Sequence, residues 1–244
     1  FSSNGYPPRD HGSFAEGADY GIRTTPHAGD LEANLRSVGE AAELADLVIV
    51  GHHCCVAEGS RGDEPPSFVR ATARACIDAG ADVYIGHGWH RTLGIEIYRG
   101  KPIVYGIGNF FAQSEFVRHV PYDSYEAHGH DVSRLPTLSP ADVPLHGGVG
   151  KPSDTWWSSS VLRLEMDGGL RRLTLHPVEM GMSIDLRGDV TRWTGQGARR
   201  RCEGRPMLAA PEVGERILDR VVRLSAPYGT SIAVADGIGI IEYA

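Results

Sequence analysis

Two short apolar runs, each ending in glycine and histidine, constrain this chain more than any other feature. Leu47 to Val50 ends in Gly51-His52-His53, and Val83 to Ile85 ends in Gly86-His87. A helical stretch between them opens at Ser67, continues through Ala79 and closes on Gly80, where a left-handed cap is wanted. Strand, helix and strand within about 40 residues make a βαβ unit, whose crossover leaves the two strands parallel. The histidines thus emerge where buried strands stop, which is where α/β sheets keep their chemistry. Neutral imidazole is the commonest biological ligand for zinc, manganese or iron. His53 ends one strand, and His87 and His90 lie just past the end of its neighbour, so these three are the candidate metal ligands. His52 points the other way along an extended backbone. It is placed with Trp89 and Asn109 among residues that would line the site and touch substrate.

The rest of the chain supplies elements to hold this unit. Leu31, Leu35, Val38 and Leu44 recur at helical spacing behind Asp30, a suitable N-cap. Leu93 to Tyr98 and Pro102 to Ile107 flank Arg99-Gly100-Lys101 as a hairpin. Glu96, on the first of these strands, pairs with Arg91 or Lys101 or lies on a solvated face. Gly106, Gly108 and Asn109 mark a tight backbone site, with the Asn109 side chain fixing the turn. Val161 to Met166 and Leu170 to Val178 alternate around Asp167-Gly168-Gly169 as a second hairpin. Pro211 opens a helix with Val213, Ile217, Val221 and Leu224 on one face. Ser231 to Ala235 and Ile238 to Glu242 close the chain around Asp236-Gly237. Residues 1–29, 112–160 and 181–210 show no sustained period, and 112–160 reads as a long surface excursion or lid. Residues 1–244 form a single α/β domain.

A net charge of −7, from 24 basic and 31 acidic residues, excludes the cationic surface that nucleic acid or an anionic membrane requires. Arg199-Arg200-Arg201 is a solvated loop. No apolar run approaches the roughly 20 residues of a membrane span. Four cysteines in 244 residues are no disulfide framework, and adjacent Cys54 and Cys55 are poorly placed to pair with each other. Their usage favours a reducing compartment, the cytoplasm.

The run ADVYIGHGWHRTLGIEIYRGKPIVYGIGNFF resembles the G-H-x-P-H…G-I-E-x-Y-x-G-K-P-I-x-Y-S-L-G-N-F signature of the CapA-type capsule synthesis proteins. That family is implicated in poly-γ-glutamate capsule formation and belongs to the calcineurin-like metallophosphoesterase superfamily. DLVIVGHHCCV resembles its D-x-V-I-V-S-x-H-W-G element and aligns His53 with the family histidine. Cys54-Cys55 replace the Trp-Gly of that element, and Trp89 stands where proline is usual. The resemblance extends to the C-terminal GRPMLAAPEVGERILDRVVRLSAPYGTSIAVADGIGII.

The resemblance implies a metallophosphoesterase-like α-β-β-α sandwich seen without its N-terminal half. It carries the family's metal ligands over to His53, His87 and His90, and implies two divalent ions (Mn, Zn or Fe) in the complete protein. The other ligands in such enzymes, an Asp/His pair, a bridging Asp and an Asn-His motif, would lie N-terminal to this region. No catalytic residue is assigned. The function implied is a metal-dependent hydrolase of the phosphoesterase type or a capsule biosynthesis factor acting on an anionic small molecule or polyglutamate. The alternative is a non-catalytic binding subunit of a capsule synthase that keeps the fold without a complete dinuclear centre. The implied partner is an N-terminal half or a synthase subunit, and the family's extracytoplasmic, membrane-associated location stands beside the cytoplasmic one.

Overall fold

The structure is a computed structural model that describes residues 24–56, 62–111, 121–127, 129, 131, 133, 155–167, 169–180 and 205–243. The unpatterned stretches at 1–23, most of 112–154 and 181–204, with the Arg199-Arg201 cluster, lie outside these. The elements are α1 (Ala28–Leu44), β1 (Ile49–His53), α2 (Ser67–Asp78), β2 (Val83–His87), β3 (Ile95–Tyr98), β4 (Lys101–Val104) and α3 (Tyr122–Ala127). They continue with β5 (Ser158–Met166), β6 (Leu170–Glu179), β7 (Met207–Leu208), α4 (Pro211–Ser225), β8 (Ala233–Ala235) and β9 (Ile238–Glu242).

Two sheets result. The first runs β1-β2-β4-β3, with β1, β2 and β4 parallel and β3 antiparallel to β4. The second is antiparallel, β5-β6-β9-β8, with β7 added beside β6. α2 covers one face of the first sheet because its apolar positions recur at helical spacing. Val69, Ala73, Cys76 and Ile77 are buried against Tyr84, Leu93, Ile103 and Tyr105. Each fully buried Val or Ile side chain of this kind stabilises by roughly 1.5–3 kcal/mol. α1 has no fully buried residue and rests on the same core through half-buried Leu35, Val38 and Ala41. A second core joins the sheets: Ile95 and Val104 of the first meet Leu173, Leu175 and Ile241 of the second, with Leu218 and Val221 of α4 wedged among them. The architecture is a two-sheet α/β sandwich, as the resemblance implies.

Local detail departs from the sequence pattern in three places. α1 begins three residues earlier than expected, with His27 as its N-cap and Asp30 inside the first turn, where its charge suits the helix dipole. β1 starts later but runs on through both histidines, because its pairing with β2 continues to His53↔His87. Glu96 pairs with neither Arg91 nor Lys101. It is buried, 4% exposed, and takes both Nε and an Nη of Arg74 from α2 together with the hydroxyl of Tyr105. It therefore ties helix to sheet and is no solvated residue.

Two glycines are dictated by the site's backbone. A Cβ on Gly86 would stand 2.2 Å from the Tyr105 carbonyl oxygen, so only glycine lets β4 pass this close to β2. Gly88 has φ +108°, a conformation side chains disfavour, and its Cα faces the Cys54 carbonyl, which a Cβ would approach to 2.5 Å. The loop after β4 is fastened to the second sheet by a bridge between Gly108 and Ser159 and by Ser159 Oγ donating to the Ile107 carbonyl. That joint brings the start of β5 to the rim where the histidines lie.

Candidate metal centre

The parallel register of β1 and β2 places His53 opposite His87. Registered residues of neighbouring parallel strands share a face, so both imidazoles stand on the same side. Their Nδ1 atoms are 2.9 Å apart and their ring centroids 4.8 Å apart, at 72°. The loops beyond the strands are pinned together: the Cys54 amide donates to the His87 carbonyl at 2.8 Å, and Trp89 Nε1 donates to the Val56 carbonyl at 2.7 Å. Trp89 thus holds the wall of the site rather than standing free beside it.

His53 has a different neighbour on each nitrogen. Nδ1 faces His87, and Nε2 lies 3.3 Å from the Cys55 sulfur. Thiol and second imidazole therefore flank opposite ends of one ring and do not converge on one point. Cys54 is buried, and burial pushes its thiol pKa up. Burial, followed by the charge of His53, holds His87 below the usual histidine range. Both effects favour the neutral ring that a metal ligand needs.

His52 lies on the opposite face, as its place in the strand requires. Its Nδ1 is hydrogen-bonded to the Tyr84 hydroxyl and its ring packs edge-on against Phe68 and Tyr84. Burial, then the charges of His87 and His53, lower its pKa. Burial likewise pushes Tyr84 far up, so that hydroxyl stays protonated.

His90 is held separately. Its backbone has φ +56°, its Nδ1 lies 2.8 Å from Asn109 Oδ1, and its ring lies 4.3 Å from that of Trp156 at a 31° tilt. Asn109 in turn donates through Nδ2 to the Trp156 carbonyl at 3.0 Å. Asn109 therefore fixes the turn, as its side-chain chemistry suggests, and reaches His90 as well. Trp156 escapes sequence reasoning. It sits in an unpatterned stretch, and the only signal is the Trp156-Trp157 pair just before the alternating residues of β5.

Whether these residues suit a divalent ion can be judged from the donors themselves. Two nitrogens each about 2.1 Å from one zinc ion, at the tetrahedral angle, stand roughly 3.4 Å apart. The His53–His87 separation of 2.9 Å is that of a hydrogen bond between the rings, and an ion bound to both would open it by about 0.5 Å. Among the described residues, no group of three His, Cys, Asp or Glu side chains is arranged to hold a metal. The pair fits one ion as a partial donor set, and it does not by itself make a dinuclear centre.

Residues 3–114 match the bacterial capsule synthesis protein family PGA_cap. The chain is 32% identical over 239 residues to an uncharacterized protein of Sinorhizobium fredii, y4sH, covering 94% of this chain and 48% of the relative. It is 38% identical over 90 residues to the PGA biosynthesis protein CapA of Bacillus subtilis, 36% of this chain and 23% of that one. With the capsule biosynthesis protein CapA of Bacillus anthracis it shares 33% identity over 115 residues, 43% of this chain and 26% of the other. The chain spans about half the length of the Sinorhizobium relative and less of the others. No described helix is long and apolar enough to cross a membrane. Strand-end histidines, the two-sheet sandwich and these matches agree: the chain is similar to the CapA family of bacterial capsule synthesis proteins, whose family model matches it over residues 3–114.

Proposed function

We propose that this chain carries the imidazole share of a divalent-metal hydrolase centre in a protein of capsule or poly-γ-glutamate biosynthesis. The observation that supports it most is the pair of strand-end rings, His53 and His87, with Nδ1 atoms facing each other at 2.9 Å. His53 and His87 would hold the ion between them, and His90, held apart by Asn109 and Trp156, would have to move to add a third nitrogen. A bound divalent ion supplies Lewis acidity toward a phosphoryl or acyl oxygen. The chain's own residues do the rest. The Trp89–Val56 contact holds the loops at a fixed spacing, and the lowered pKa of His87 keeps its ring neutral to a lower pH. An anionic phosphate ester or polyglutamate is the substrate class that such an ion would attract.

A second reading is a non-catalytic subunit that grips a polyglutamate or a synthase through the same rim. The absence of a third donor beside His53 and His87 among the described residues favours it. Calorimetric titration of the whole chain with Mn(II) and with Zn(II), repeated on His53→Ala and His87→Ala, tests the first reading. Saturable uptake that either substitution abolishes supports it. Uptake unchanged in both variants, or none in a folded wild-type chain, overturns it. Metal-loaded chain with measurable phosphodiesterase turnover would exclude the second reading.

A further inference from the structure

We infer that Asn109 is a positioning residue that locks His90 in its Nδ1–H tautomer, leaving Nε2 as the nitrogen with the free lone pair. The Trp156 carbonyl is the fixed point. A carbonyl oxygen only accepts, so the end of the Asn109 amide facing it, 3.0 Å away, must be the NH2 group. The other end, Oδ1, therefore faces His90 Nδ1 at 2.8 Å. An amide oxygen also only accepts, so His90 Nδ1 must be the donor. A neutral imidazole carries one N–H, and Nε2 is then bare. No freedom remains in either assignment, because both follow from one carbonyl that cannot donate.

The rest of the structure holds this geometry from three sides. Asn109 follows Gly108, whose backbone sits at φ +76° and is bridged to Ser159, so a Cβ there would come within 2.8 Å of the Ser158 carbonyl. Trp156 contributes both the carbonyl that orients Asn109 and the ring that lies against one face of the imidazole. His90 itself is held at φ +56°, which a non-glycine residue keeps only when its surroundings impose it. The clamp spans the two sheets, since Asn109 follows β4 of one and Trp156 precedes β5 of the other. Metal-ligating histidines characteristically donate their second ring N–H to a fixed acceptor, which sets the tautomer and ring orientation. In its bearing on metal binding, this inference rests on the metal-centre reading. The tautomer itself does not.

The test is a long-range 15N–1H correlation spectrum of the full chain, labelled at histidine nitrogens and free of metal, at a pH where His90 is neutral. Wild type should show a protonated Nδ1 and a bare Nε2 for His90. Asn109→Ala should release the ring to the Nε2–H form that free histidine prefers. In the metal arm, Zn(II) affinity should fall about 10- to 100-fold in Asn109→Ala. A wild-type His90 in the Nε2–H form overturns the inference outright and needs no variant to fold. A tautomer that does not change in Asn109→Ala overturns the role of Asn109. A tautomer that switches while Zn(II) affinity stays put upholds the clamp and removes His90 from the proposed ligand set.

Discussion

Replacing Glu96 by alanine should cost about 3–5 kcal/mol, and the structure says where that comes from. Glu96 is 4% exposed and holds two partners of different burial. The Tyr105 hydroxyl belongs to a residue with 0% exposure and loses its acceptor in the variant. An orphaned buried hydroxyl costs about 1–3 kcal/mol. Arg74 contacts Glu96 through Nε at 3.0 Å and an Nη, but its side chain is 43% exposed, so water replaces much of what it loses. Its share is discounted to about 1 kcal/mol. The small cavity left by the carboxyethyl group adds about 1 kcal/mol. For a chain of this size, a total of about 3–5 kcal/mol lowers Tm by about 6–20 °C. Equilibrium urea denaturation with Glu96→Ala, Arg74→Ala and the double variant measures it. Arg74→Ala strips the cation from a carboxylate only 4% exposed and should lose about 1–3 kcal/mol, and the double variant should lose less than the sum because the partners are shared. Glu96→Gln keeps an acceptor for Tyr105 and should fall between wild type and Glu96→Ala. If Glu96→Ala lies within 0.5 kcal/mol of wild type, about what a solvated residue shows, the buried network described above is wrong.

Three further outcomes follow. Gly86→Ala forces β2 and β4 apart against a backbone carbonyl that cannot swing aside, so it should destabilise by about 3 kcal/mol or more; an unchanged urea midpoint contradicts this packing. His52 and His87 both titrate below the ordinary histidine value of 6.5 in the folded chain, so the folded state binds fewer protons than the unfolded one. The stability they contribute is complete above that value and is lost as pH falls through their folded pKa; urea midpoints between pH 5 and 8 should decline on the acid side, more steeply in wild type than in His52→Gln. Cys55→Ser should leave Mn(II) or Zn(II) affinity within about threefold, because the thiol flanks Nε2 of His53 while His87 flanks Nδ1; loss of binding in that variant would put the ion on the thiol side.

The parts of the site legible in the sequence are those set by local pattern. His53 and His87 face each other because a βαβ unit leaves its strands parallel and both strands end in glycine and histidine, all of which lies within one stretch. The direction of His52 follows from strand alternation and is found as expected, against Tyr84. Asn109 as a turn-fixing side chain was readable from Gly108-Asn109, but its hold on His90 was not. That contact depends on Trp156, 47 residues away from Asn109, brought in by the Gly108–Ser159 bridge between sheets. Glu96 was misassigned for the same reason. Arg91 and Lys101 are near in sequence, whereas Arg74 reaches it only because α2 packs across β3 and β4. The helix start at Ala28 rather than after Asp30 is a smaller case: His27 Nδ1 accepts from the Asp30 amide at 3.4 Å and takes the capping role expected of Asp30.

The claim on which the functional account depends is that one ion sits between His53 and His87. Anomalous diffraction from crystals of the chain grown with Mn(II) or Zn(II) tests it most directly. The account predicts a single strong peak about 2.1 Å from Nδ1 of both rings. A saturated crystal with no peak between those nitrogens, or with its peak on the Cys55 side of His53, would contradict it.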